Sequence, residues 1–281
     1  MTPAQQTSGL ATTPKFITNW NASGTQYLYV QTDTKLYQVL TVSPYTVTDV
    51  TAQITPGTSV YGAIIWKGVY VYSTNNDIRA NTFPVASGSD VQLKSGYNGT
   101  MDYRALCIGA DGNLYYGDTP MVGVLTSATG TSGNTTNHGI DNGYTVRDLV
   151  NDGRYLVIFA DNNQQNNANC LVGNYSCKVY FWDMVQTDGN NRIIADAIYD
   201  FADSYIIGAK MTDNGIEMIT YNGVYVLSST TRPKMIRPFP ITPNGRMGRP
   251  LNPSQIIFIK GSLYWVEGFQ SIRSRKPCLW K

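Results

Sequence analysis

A hairpin recurs along this chain at a spacing near forty residues, and that spacing restricts the fold more than any other feature. Each copy joins an apolar stretch, a small turn carrying Gly, Asn or Lys, and an aromatic strand. One copy runs Ala63-Ile64-Ile65-Trp66, Lys67-Gly68, Val69-Tyr70-Val71-Tyr72. Another runs Ala105-Leu106-Cys107-Ile108, Asp111-Gly112-Asn113, Leu114-Tyr115-Tyr116. Asp152-Gly153-Arg154, Asn222-Gly223 and Lys260-Gly261-Ser262 each introduce a further aromatic strand. Gly68, Gly112 and Gly153 are 44 and 41 residues apart, and Gly223 and Gly261 are 38 apart. Four short strands in such a period are the mark of an all-β β-propeller. A single four-stranded blade cannot cover both of its faces, so blades bury one another by packing side by side.

An earlier copy, Tyr27-Leu28-Tyr29-Val30 followed by Leu36-Tyr37-Gln38-Val39, extends the count. Six units are expected, starting near Gln26, Tyr61, Tyr103, Val146, Ser204 and Ser254. The last is short of a strand, and Lys15–Trp20 could supply it, closing a six-bladed ring by pairing the N- and C-terminal strands. A β-sandwich or an open set of meanders is the alternative. Composition agrees with strands: Tyr occurs 20 times, and only Glu217 and Glu267 represent a residue that helices favour. The organisation that follows is a flexible arm over residues 1–14 and one propeller domain over 15–281. Polar stretches at 125–144 and 161–177 and a stretch at 230–253 read as loop insertions. The last holds six of the chain's 13 prolines, which cannot donate to a sheet ladder.

Charge is unevenly distributed. Residues 232–281 carry ten basic side chains against Glu267 alone, a balance of +9, and residues 1–231 carry −7. Blocks of like charge mark interaction segments, and Arg suits bidentate contact with carboxylate or phosphate. The candidate binding residues are therefore Arg232, Lys234, Arg237, Arg246, Arg249, Arg273, Arg275 and Lys276, facing either a polyanion or a neighbouring subunit. The alternative is that these charges only keep an edge soluble. No sequence-reading nucleic-acid motif accompanies them, so any DNA contact would be non-specific.

Catalytic constellations are sparse. The single histidine, His138, lies in the polar stretch 125–144, where a positioned base is not expected. No phosphate-binding Gly-rich loop and no calcium-loop spacing is present. Asp102, Asp148, Asp203 and Glu267 are the carboxylates that a propeller glycosidase could pair, although turn formation explains such Asp residues as well. The chain thus reads as non-enzymatic, with no cofactor and no metal. Trp20, Trp66, Trp182, Trp265 and Trp280 could stack on sugars in a lectin or adhesin, or pack a core. Cys170 and Cys177 flank a loop short enough for a disulfide. No apolar run approaches bilayer length, and the N-terminus lacks the basic start and apolar run of a secretory signal.

Two stretches carry a family resemblance. Gly24-Thr25-Gln26-Tyr27-Leu28-Tyr29-Val30 running into Lys35-Leu36-Tyr37-Gln38-Val39 is one. Ile207-Gly208-Ala209-Lys210-Met211 leading to Asn214-Gly215-Ile216-Glu217-Met218 and Asn222-Gly223-Val224-Tyr225-Val226-Leu227 is the other. Both resemble bacteriophage virion β-propeller proteins of the head-to-tail connector and tail-nozzle type. The resemblance implies a structural subunit in a virion, assembled in the host cytoplasm and repeated in a homo-oligomeric ring around DNA. An extracellular location is the alternative.

Overall fold

Buried threonines at the mouths of four hairpins set where strands stop and turn. Thr32, Thr74, Thr212 and Thr220 are each at most 5% exposed. Each hydroxyl accepts from a backbone N–H two or three residues on: Lys35 at 3.0 Å, Asp77 at 3.1 Å, Asn214 at 3.2 Å and Gly223 at 3.3 Å. Each also donates to the carbonyl three residues on. The side chain thereby stands in for a turn's own hydrogen bonds. Asp111 and Asp152 use a carboxylate oxygen for the same task, accepting from Asn113 and from Arg154 and Tyr155. At Lys67-Gly68 both residues have positive φ, +48° and +76°. This matches a two-residue turn whose twist suits the flanking strands.

The computed structural model describes residues 14–22, 24–32, 34–42, 46–54, 60–96, 105–118, 120–131, 134, 136–162, 176–202, 204–239, 241–242, 245–246, 256–259, 262–266 and 279–280. Contacts divide the chain, read above as one domain over 15–281, into two compact units. One comprises Met1–Thr100 with Ser127–Asn134, the other Met101–Thr126 with Thr135–Lys281. The arm expected over 1–14 lies, but for Pro14, outside the described residues.

The first unit holds two blades. β1 (Phe16–Ala22), β2 (Thr25–Gln31), β3 (Leu36–Leu40) and β4 (Val47–Asp49) form one antiparallel meander. β5 (Gly62–Trp66), β6 (Val69–Ser73), β7 (Asp77–Asn81) and β8 (Val91–Ser95) form the next. Their facing sides bury Tyr29, Leu36, Tyr70 and Tyr72. The Tyr29 and Tyr70 rings lie 5.6 Å apart, and Tyr70 donates to Gln31. Asn134 is buried, and its amide ties Leu93, Ser127 and Gly130 together.

The second unit holds three four-stranded blades. The first comprises β9 (Leu106–Ile108), β10 (Leu114–Asp118), β11 (Met121–Leu125) and β12 (Thr136–Gly139). The second comprises β13 (Thr145–Asn151), β14 (Leu156–Asp161), β15 (Ser176–Trp182) and β16 (Ala197–Ala202). The third comprises β17 (Ile206–Thr212), β18 (Gly215–Thr220), β19 (Gly223–Leu227) and β20 (Lys234–Pro238). A two-strand hairpin, β21 (Ile241–Thr242) and β22 (Gly245–Arg246), follows. A three-stranded sheet of β23 (Ile256–Ile259), β24 (Ser262–Val266) and β25 (Leu279–Trp280) ends the chain. One core cluster packs the first of these blades on the second, around Tyr115, Val146, Ile158 and Trp182. Another packs the second on the third, around Phe159, Val179, Phe181 and Met218.

Buried carboxylates fasten the second of these blades to the third. Asp161 accepts from Arg147 at 2.7 Å and from the Ile206 backbone at 3.0 Å. Asp148 accepts from Leu149 at 2.9 Å and from Ala209 at 2.8 Å. Each meets the innermost strand of the next blade beside a register shift, Val146/Asp148 in β13 and Ile206/Gly208 in β17. Such bulges re-aim side chains and turn backbone N–H groups out of the ladder. Gly123 serves another fit: a Cβ there would fall within the Tyr116 ring, which crosses β11 to reach Asn137 on β12 at 2.9 Å.

The all-β propeller fold expected from the repeat is present, and its count and closure are corrected. Among the described residues there are five four-stranded blades, not six. Nor, among the described residues, does a C-terminal strand pair with the N-terminal one: Phe16–Ala22 stands at the edge of its sheet and pairs with Thr25–Gln31. A hairpin to the next strand closes a far shorter loop than a pairing with the chain's other end, and so orders less chain. Two of the expected loop insertions also contain strands. Thr136–Gly139 is the outer strand of its blade, where polar residues are tolerated because one side faces water. In 230–253, Pro233 precedes β20 and Pro238 ends it, positions where a missing N–H costs little. Residues 163–175 lie outside the described residues, as does Cys170; Cys177 is a free thiol, fully buried, and burial pushes its pKa up.

Replacing Thr220 by Val keeps its shape and removes the hydroxyl, leaving buried backbone groups of the Asn222-Gly223 turn without a partner. The expected loss is about 1–3 kcal/mol, read as a lower urea midpoint with an unchanged slope. Thr220→Ser should recover most of it.

Candidate functional site

The outer strands of the second unit carry its exposed chemistry, and β20 is where the sequence-predicted cations appear. After β19 the chain turns at Ser228, whose hydroxyl accepts from the Thr230 backbone at 3.2 Å. It then returns as β20, pairing Val226 with Lys234, Tyr225 with Met235 and Val224 with Arg237. The register shifts between Val224 and Tyr225, so Ile236 is an extra residue on the edge. Gly223 permits the close approach, since a Cβ there would collide with the Arg237 carbonyl and Pro238. The shift breaks strict alternation: Met235 and Ile236, consecutive residues, are 40% and 48% exposed. Arg232 and Lys234 are exposed beside them and Arg237 is partly buried. Six residues thus bring three of the eight predicted cations together. Arg246 is placed on β22, and Arg249, Arg273, Arg275 and Lys276 lie outside the described residues.

A second exposed stretch went unnoticed in the sequence. Between β15 and β16, residues 183–196 form an excursion pinned to β12 of the neighbouring blade. Gly139 and Arg192 form a parallel bridge, and Asn191, held at φ +59°, bonds the Asn137 carbonyl at 2.5 Å. His138 accepts or donates at 3.1 Å to Asn191 and packs 4.9 Å from the Trp182 ring. Burial holds its pKa below the usual imidazole value. The histidine expected in a loop therefore sits on a strand and acts as a clamp. Over residues 183–200 the sequence sets Asp183, Asp188, Asp196 and Asp200 against Arg192, with Arg154 3.7 Å from Asp196 and Lys178 near Asp200, and Val185, Ile194 and Ile198 are exposed. That density of Asp beside apolar residues was the available signal.

Lys178 on β15 organises the polar side of the excursion. Its ammonium donates to Asp141 at 2.5 Å, lies 3.6 Å from Asp200, and sits 5.2 Å from the Tyr144 ring centroid. Arg192 adds a contact to Asp141 at 3.3 Å. The Lys178 hydrogen bond holds the Asp141 carboxyl below its usual range, and Asp141 raises Lys178 in return.

The remaining candidates do not converge. Asp148 is a buried inter-blade fastener, while Asp102, Asp203 and Glu267 lie outside the described residues. Trp66 and Trp182 are fully buried, as core packing demands; the side chains of Trp20, Trp265 and Trp280 lie outside the described residues. Among the described residues no three His, Cys, Asp or Glu side chains gather as metal ligands, and no helix is long and apolar enough to cross a membrane.

No family model matches the chain, and no curated protein matches it. Solved structures do share the fold. Virginiamycin B lyase from Staphylococcus aureus superposes with a TM-score of 0.52 at 14% identity, over 82% of this chain and 71% of the lyase. A protein from Lactobacillus plantarum gives 0.55 at 13%, over 90% and 77%. An extracellular domain from B. thetaiotaomicron, assigned to a one-component system, gives 0.53 at 15%. This chain covers 88% of its own length there but 31% of the other's. These likenesses define the class as β-propeller and go no further. They correct one expectation. The chain was read as non-enzymatic because it lacks a motif, yet the fold is shared with a lyase. Folds host many chemistries, and a missing short motif does not exclude one.

Lys178→Met should let the Asp141 carboxyl rise toward its ordinary value, measured by NMR titration. A depressed carboxyl pKa stabilises the fold above the unfolded-state pKa, and that contribution is lost as pH falls through the folded pKa. The variant should therefore melt below wild type at pH 7, and the gap should close below roughly pH 4.

Proposed function

We propose that this propeller is an assembly subunit of a virus particle, of the connector or tail-nozzle type, that docks neighbouring subunits through the stretch beginning at Arg232. The observation that carries this reading is the composition of the β20 edge. Cations and exposed apolar side chains stand together from Arg232 to Pro238 with no acid among them. A face that only needed solubility would display charge without Met235 and Ile236, because exposed apolar residues on an edge strand invite association. An apolar centre rimmed by charge is the make-up of a protein interface. The resemblance of Gly24–Val39 and Ile207–Leu227 to phage propellers supplies the kind of assembly, with the virion as the location.

Particles purified from cells that produce the virus encoding this chain should contain it at a fixed copy number, measured by quantitative mass spectrometry of gradient fractions. Complete absence from particles in producing cells that contain the chain would overturn the reading.

A further inference from the structure

The two faces of β20 carry different chemistry. Cross-strand partners share a face of a sheet. Lys234 stands opposite Val226 and Arg237 opposite Val224, so both cations project to the side where Val224 is buried with Ile219. Met235 stands opposite Tyr225 and projects to the other side, where the Tyr225 ring packs edge-on against Phe201 of β16 with centroids 5.1 Å apart. Ile236, the extra residue of the register shift, is exposed with Met235. The surrounding sequence has one sign of charge: between Glu217 and Glu267 there are six cations and no acid.

β20 is also the last strand of its sheet, and among the described residues no further strand pairs with its outer edge. Pro233 and Pro238 bracket its centre and lack the N–H of a ladder bond, which confines an incoming strand to the window between them. Lysine, proline and a bulge discourage indiscriminate pairing. An edge built only to stay closed would not expose Met235 and Ile236 as well, because apolar residues on an edge favour association. The same unit shows an edge completed by an incoming segment. Gly139 at the end of β12 donates to the Asn191 carbonyl at 3.0 Å and accepts from the Ile193 N–H at 2.9 Å.

We infer that β20 is a selective docking edge for an extended acidic strand of a neighbouring subunit, in which carboxylate and aliphatic side chains alternate. Paired along β20, such a strand sets its carboxylates on the side of Lys234 and Arg237 and its aliphatic side chains on the side of Met235. Main-chain hydrogen bonds supply the affinity of an added strand, and the alternate side chains supply its specificity. A basic strand would set like charges together, and a slip of one residue would put carboxylates against Met235. The inference deepens the assembly reading and rests on it in taking the strand from a neighbouring subunit.

Fluorescence anisotropy of a labelled peptide of alternating Glu and Val, titrated with the full chain, tests the edge. Saturable binding that weakens with added salt is expected. Three control peptides should each bind roughly tenfold more weakly or worse: one with the same residues in two blocks, one alternating Lys and Val, and one N-methylated on the amides that would face β20. Lys234→Glu, at an exposed position, should weaken the acidic peptide by a similar factor and strengthen the Lys-Val peptide. The second effect shows that the variant is folded. Absence of saturable binding at the highest soluble peptide concentration overturns the inference. So does equal binding of the blocked or N-methylated peptide, or indifference to Lys234→Glu. Displacement of the peptide by duplex DNA at lower concentration overturns it too, and assigns the cations to phosphate. Peptide binding by a chain absent from particles would leave the docking edge standing and remove the virion role; a chain present in particles that ignores the peptide would do the opposite.

Discussion

A threonine hydroxyl at the base of a hairpin is a small group, and the order of this fold depends on it. Because side chains alternate with period two, shifting a strand by one residue would move its aromatic set to the wrong face. Thr32, Thr74, Thr212 and Thr220 remove that freedom by fixing which residues turn. Register then decides that Tyr29 and Tyr70 meet across one blade boundary, and that Phe181 and Met218 share another. Buried and fully bonded, each hydroxyl replaces the water that a turn would otherwise need.

With register fixed, the interior of each unit has little left to decide. Tyr, Trp and Phe go to the faces between blades, and Asp148 and Asp161 are consumed in holding backbone amides of the adjoining strand. What varies is the outermost strand of each blade. In the second unit β16 carries Asp200 with the exposed Ile198, while β20 carries Lys234 and Arg237 with the exposed Met235 and Ile236. The likeness to a lyase and to an extracellular domain says nothing about these strands. Function on a shared fold lies in such local differences.

The repeat was legible because glycine turns and aromatic strands are local signals. The strand boundaries around Gly68, Gly112 and Gly223 follow from them directly. Closure was not legible. Phe16–Ala22 is as good a strand for a distant partner as for Thr25–Gln31, and only the shorter loop decides. The polar strand Thr136–Gly139 was hidden for a related reason: outer strands take their order from the ladder, not from apolar residues. Among the candidate residues, the cations of β20 were visible as a charge block. The acids Asp183, Asp188, Asp196 and Asp200 were not, because they are spread over the connection between β15 and β16 and over β16 itself.

Every four-stranded sheet here is a simple meander, each strand paired with its neighbours in sequence. No such blade borrows a strand from elsewhere in the described chain. A length of chain near forty residues is therefore a self-contained module, as in other stacked-repeat architectures. Such a gene can lengthen or shorten by a whole module and leave the register of every other blade intact. Inserting a single residue inside a strand would reverse a face. Growth by duplication is thus built into the grammar of the fold, and the outer strand of each new copy is free to diverge.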